Sequence, residues 1–168
     1  MRRPLLIGAT IVLWAGCSET PVSPTRVGGA VGGGVAATEA RIDTSFGQGG
    51  MLVAATLTGA AEIPGPGDPD GSGTARITLN PGQGQVCFAL EVSDIVPATA
   101  SHIHVGGPAV AGGVVVTLAP PPTDGASSAC VSAAPELVRA IGSNPEGYYV
   151  NVHNAEFPAG ALRGQLSR

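Results

Sequence analysis

The chain contains no lysine; its eight basic residues are all arginine, and only Arg2 and Arg3 are adjacent. With a formal net charge of −4, it offers no basic cluster able to neutralise a row of phosphates, which excludes nucleic acid as an expected partner. Aromatic residues make up only 4% of the sequence, so a core has to be built from Val, Leu, Ile and Ala. Histidine occurs only at 102, 104 and 153, and cysteine only at 17, 87 and 130. No apolar run approaches the roughly 20 residues that a membrane-spanning helix needs. A Gly-x-Ser-x-Gly elbow and a His-Glu-x-x-His motif are both absent, which sets aside serine-hydrolase and zincin chemistry.

What the chain does have is glycine (26) and proline (15), about a quarter of its 168 residues and close to the range where disorder is suspected. Their uneven spread divides the chain instead. Arg2-Arg3 followed by the apolar run Leu5–Ala15 has the form of a signal peptide, too short to span a bilayer as a mature helix. The run ends in Trp14-Ala15-Gly16-Cys17, which resembles the bacterial lipoprotein processing site, with Trp where Leu is usual. That resemblance implies that residues 1–16 are removed, that Cys17 is lipidated, and that the protein is held to a membrane in the cell envelope, outside the cytoplasm. Several acyl chains on one cysteine give stable anchoring. Ordinary secretion with cleavage nearby is the alternative. Residues 17–50 hold no lasting period and read as a flexible Gly/Pro/Ser-rich tether with a mean reach of roughly 30 Å. The glycines at 28–29 and 32–34 have no flanking strand or helix and no Gly-Lys pair, so they do not form a phosphate loop.

Residues 51–168 alternate in short runs. A first strand is expected over 51–64, ending at Pro64, followed by a turn-rich loop at 65–73. Asp68, Asp70 and Gly71 hint at a calcium loop, but the later ligands and terminal Glu are missing, so a mobile solvated loop is expected. Ala75, Ile77 and Leu79 point one way, as do Val86, Phe88, Leu90 and Val92; a Gly-Pro turn between the two runs makes a hairpin. Further strands are expected around 101–105, 113–118, 127–132, 148–154 and within 157–166. Pro135 and Gly142 bound a short helix with Leu137, Val138 and Ile141 as its buried stripe. The fold expected is all-β, an antiparallel Greek-key sandwich or barrel of about seven or eight strands with one short helix.

With Cys17 lipidated, Cys87 and Cys130 remain as an even pair in an oxidising compartment, both on outward phases of their strands, and a disulfide between neighbouring strands is expected. They lack the spacing of a metal-binding Cys-x-x-Cys pair.

The histidines sit in two alternating stretches. His102 and His104 share one strand face, opposite Ser101, Ile103 and Val105; His153 shares a face with Tyr149 and Asn151, opposite Val150 and Val152. If the aliphatic residues turn inward, all three imidazoles turn outward. Three neutral imidazoles suit copper, zinc or nickel. Alternatively the rings hydrogen-bond Asn151, Asn154 or carbonyls of the 106–112 loop and fix that loop, or are plain polar surface. Arg163 is either an anion-attracting group or an exposed strand-end charge, and Glu62 and Glu156 are candidate supporting groups or partners for it.

Four stretches carry a family resemblance: Leu57 to Pro64 (LTGAAEIP), Ala100 to Gly107 (ASHIHVGG), Tyr148 to Asn154 (YYVNVHN) and Phe157 to Leu166 (FPAGALRGQL). In this order they resemble the CHRD domain, first described in chordin and widespread in bacterial secreted proteins. The resemblance implies a β-rich extracellular module with no agreed reaction and an unknown protein or small-molecule ligand. The growth-factor setting of animal chordin does not transfer to a bacterial-looking lipoprotein. A second similarity is to copper–zinc superoxide dismutase, where a His-x-His pair and a late Val-His supply copper ligands. It implies His102, His104 and His153 as copper ligands and Arg163 as an anion guide. A fourth, bridging histidine and the zinc-ligand cluster are absent, so what is implied is a mononuclear three-histidine site, with copper as its candidate cofactor. Two functions follow: a lipid-anchored binding or structural module that is not an enzyme, or a copper site with redox or copper-binding activity.

Overall fold

A computed structural model describes residues 50–168 except residue 122. The leader, the tether and Cys17 lie outside the described residues. Eight strands form one antiparallel sheet: β1 (Met51–Thr58), β2 (Ser72–Asn80), β3 (Gln85–Ser93), β4 (Ala98–Val105), β5 (Val114–Leu118), β6 (Ala126–Ser132), β7 (Tyr148–Asn154) and β8 (Leu162–Gln165). Their order is β5-β4-β7-β8-β1-β2-β3-β6. The sheet rolls up until its end strands meet, and the Ser127 hydroxyl donates to the Ala119 carbonyl across the seam at 2.9 Å. Read around this nearly closed barrel, β6, β5 and β4 lie consecutively between β3 and β7. That is a Greek key at each side of the seam.

Strand alternation builds the core as the sequence leads one to expect. Ala75, Ile77, Leu79, Val86, Phe88 and Leu90 are all fully buried and face Val150, Val152, Ile103 and Leu162 in one cluster. The β2–β3 hairpin turns through Pro81–Gly84, where Gly84 takes a φ of +60° that other residues resist. Helix α1 (Pro135–Ser143) buries Val138, Ile141 and Gly142. Leu137, expected in the stripe, is only partly buried against the core.

Three local expectations need correction. The first strand stops at Thr58, not at Pro64, because Gly59–Ala61 wind into a 3₁₀ turn. The chain then folds back on itself: Gly67 N–H donates to Gly59 O, Asp68 N–H donates to Ala161 O, and a side chain at Gly59 would overlap the Asp68 backbone. The loop that follows is not wholly solvated; Asp68 is buried and its carboxylate accepts from Gly71 N–H at 3.2 Å. Val105, placed inward with Ile103, is 45% exposed because it lies at the strand's end, beyond the packed barrel.

Cys87 and Cys130 lie directly opposite each other on β3 and β6 and are joined by a disulfide. The bridge ties the sheet's last strand to its neighbour beside the seam. Cys130 is exposed, whereas Cys87 is fully buried despite its outward phase. By limiting the unfolded chain, such a cross-link typically contributes about 2–4 kcal/mol. Replacing both cysteines with alanine is expected to lower the unfolding free energy by about that amount in urea titrations; an unchanged midpoint would contradict it.

Candidate metal centre

The Greek-key crossing sets β4 against β7, so segments about fifty residues apart in sequence become hydrogen-bonded neighbours. Their register pairs Ala100 with His153, His102 with Asn151, and His104 with Tyr149. Ile103, Val150 and Val152 face the core with no exposure, which turns the alternate residues outward. His153 therefore lies diagonally across from His102. The two rings meet at 3.2 Å, His102 Nδ1 to His153 Nε2. One nitrogen from each of His102, His104 and His153 lies within 4.8 Å of the others, and all three rings are half-buried.

Two backbone carbonyls decide which nitrogens are free. His104 Nδ1 lies 2.9 Å from Gly112 O, and His153 Nδ1 lies 3.1 Å from Pro158 O. A carbonyl oxygen only accepts, so in the neutral form of both rings Nδ1 carries the proton and Nε2 is a bare lone pair. His104 Nε2 is buried with no hydrogen-bond partner. His153 Nε2 has only His102 Nδ1 beside it, which in the metal-free protein donates its proton there. An imidazole whose other nitrogen donates to a carbonyl is the usual support of a metal-ligating histidine. Burial lowers the pKa of His102, and His153 and His104 push it the same way. Burial also lowers His153; its bond to Pro158 opposes this and His104 adds to it. Both rings thus favour the neutral form that a metal requires.

Around the histidines the outer face is covered rather than open. Tyr149 stacks on His104, with centroids 4.9 Å apart and planes 11° from parallel. The Arg163 guanidinium lies on the other side of the Tyr149 ring, 3.5 Å from its centroid. Arg163 is 1% exposed and its Nη2 donates to Gly107 O and Val110 O. It is therefore not an exposed strand-end charge. Glu62, carried in by the fold-back after β1, is 4% exposed and accepts from Asn151 Nδ2 at 2.6 Å. Burial raises its pKa from 4.5 to about 7, against the opposing pull of Arg163, the Ile63 N–H and Asn151. Glu156 stands apart, exposed in a turn that Asn154 caps through Phe157 N–H and Glu156 N–H. Of the partners considered for the imidazoles, the loop carbonyl is used, while Asn151 and Asn154 bond elsewhere.

The three histidines come together as their strand phase implies. Sequence reasoning gave no role to Tyr149, Gly112 or Pro158. Tyr149 was visible on the same face as His153, but a carbonyl acceptor leaves no trace in side-chain pattern. The family model of the CHRD domain matches residues 53–166, more than half of the chain and all three histidines. No curated protein and no solved structure matches the chain.

The Glu62 shift has a definite sign. Because the folded carboxyl titrates above its unfolded value of 4.5, its contribution to stability is complete below that pH and is lost as pH rises through about 7. Glu62→Gln keeps an acceptor for Asn151 and removes the titration. The difference in unfolding free energy between variant and wild type is expected to grow in the variant's favour from pH 4.5 to 8. A difference that stays flat across this range would show that the carboxyl is not held protonated. His102 and His153, with lowered pKa values, act oppositely and weaken the fold below pH 6.5 in both proteins, so they cancel in the comparison.

Proposed function

This chain belongs to the CHRD family, and we propose that it is an extracytoplasmic binding module that holds one transition-metal ion, copper or zinc, on His102, His104 and His153. As a CHRD-domain protein it is read first as a binding or structural module. The observation that carries the finer reading is the convergence of three imidazole nitrogens within 4.8 Å, together with carbonyls that leave Nε2 of His104 and His153 bare. The donor set fits the ion: three neutral imidazoles suit copper and zinc, and His104 Nε2 is a buried lone pair without another partner. A bound copper ion would supply redox capacity and a zinc ion Lewis acidity. Binding is favoured over turnover of an anion. The Arg163 guanidinium that would attract an anion is buried, and one of its nitrogens is committed to loop carbonyls.

Membrane attachment belongs to the same proposal and rests on the sequence Trp14-Ala15-Gly16-Cys17 after an apolar run. Lipid on Cys17 would hold the module on a tether at a membrane surface.

The full chain exposed to copper or zinc and then desalted is expected to retain one equivalent of metal by elemental analysis. Its melting temperature should rise with metal concentration, since the ion binds only the folded site. His104→Ala and His153→Ala are each expected to lose the stoichiometric ion while remaining folded. A wild-type chain that retains no metal ends this reading. Separately, Cys17→Ser is expected to move the protein from the membrane fraction to the soluble one, and mass spectrometry should find acyl groups on Cys17 of the wild type. An unmodified mature N-terminus would overturn the anchoring.

A further inference from the structure

We propose that Arg163 is a positioning residue for His104: it locks the 106–112 loop and Tyr149 so that His104 presents a bare Nε2. Its relevance to metal affinity rests on the metal reading above, but its action on His104 does not. The argument begins with the loop, whose sequence Gly106-Gly-Pro-Ala-Val-Ala-Gly112 offers almost no side chain with which to hold itself. It closes as a turn, with Val110 N–H donating to Gly107 O at 3.0 Å. Arg163 Nη2 donates to both carbonyls of that turn, Gly107 O at 2.8 Å and Val110 O at 3.0 Å. Gln165, two residues along β8 on the same face, donates to Gly106 O at 2.8 Å. The loop is thus fastened to β8 through its backbone.

The far end of the loop is what His104 meets. Gly112 packs so closely on β4 that a side chain there would overlap Val105 O. Its carbonyl accepts from His104 Nδ1, its N–H donates to the Tyr149 hydroxyl at 3.1 Å, and that hydroxyl lies 3.4 Å from the same carbonyl. Tyr149 is in turn clamped between His104 and Arg163, ring against ring on one side and cation on the other. Arg163 therefore reaches His104 by two routes, the loop carbonyl and the aromatic ring, without touching it. The planar guanidinium is what permits both, since it lies over the ring while its edge reaches two oxygens. A lysine keeps the charge and has no such plane. This role also accounts for a buried arginine that has no carboxylate in salt-bridge contact among the described residues.

The test uses the metal-free full chain. Long-range proton–nitrogen NMR of the imidazoles reads the tautomer of each ring. Wild type is expected to show His104 wholly as the Nδ1–H form. Arg163→Gln and Arg163→Lys are both expected to show a mixture at His104, with the amide spectrum of β2 and β3 unchanged as the control for folding. If Arg163→Gln does not fold, Arg163→Lys decides. A His104 ring that stays wholly Nδ1–H in the folded lysine variant overturns the proposal, because charge alone would then suffice. With zinc added, the lysine variant is expected to bind one equivalent about 10–100-fold more weakly than wild type. Equal zinc affinity in the two proteins would also count against it. If wild type takes up no metal while the tautomers shift as expected, the metal reading fails and the positioning role stands.

Discussion

The pairing of β4 with β7 is the constraint on which everything at the histidine cluster depends. Neither strand is next to the other in sequence, and only the crossing of the Greek key brings them side by side. Their register is then fixed by burial. Ile103 on β4 and Val150 and Val152 on β7 are fully enclosed, and a slip of one residue would carry them to the outer face and the histidines into the core. Burying the valines is favourable, whereas burying the imidazoles would not be, since unpaired polar groups in an apolar interior cost several kcal/mol by transfer scales. The apolar core therefore specifies the polar site, although it touches none of the nitrogens.

An outer face so rich in polar groups has to be satisfied where loops cover it. The covering loops do much of this with backbone. Gly112 O and Pro158 O accept from imidazoles; Gly107 O and Val110 O accept from Arg163; Gly106 O accepts from Gln165. Small residues are what let the backbone come so near. At Gly160, where φ is +152°, a side chain would overlap the Glu62 carboxylate, so the turn that supplies Pro158 O also closes the pocket around Glu62. The glycines concentrated around the site are accordingly part of its hydrogen-bonding, not merely punctuation between strands.

The parts that the sequence made legible are those governed by a period. Alternation in β2, β3, β4 and β7 gave the core residues and the phase of the histidines, because a half-buried strand cannot hide which side is apolar. The cysteine pair was legible by the same phase, and by the evenness left once Cys17 was set aside. What could not be read were the segments where small residues carry no period. Gly59–Ala61 continued the β1 alternation closely enough to be taken as strand, yet turns back on itself. Arg163 has an outward phase and is nonetheless buried, as is Cys87, because what covers an outer face comes from elsewhere in the chain. The 106–112 loop and its grip on Arg163 are contacts across more than fifty residues and leave no mark on local pattern.

The two readings that the histidines admit, ligands for a metal or hydrogen-bonding groups that fix a loop, are not rivals in this geometry. An imidazole has two nitrogens, and the loop carbonyls use only one of them. By accepting from Nδ1 of His104 and His153, Gly112 O and Pro158 O fix both rings and at the same stroke leave Nε2 with a lone pair and no proton. A purely structural histidine gains by satisfying both nitrogens, yet His104 Nε2 is buried and unpartnered. Leaving a buried acceptor unmet costs about 1–3 kcal/mol. A hydrogen-bond donor or a metal ion beside Nε2 would remove that cost. Under the metal reading proposed above, an ion held by all three rings would take up that lone pair, and the hydrogen bonds that fix the loop would also orient the rings for it.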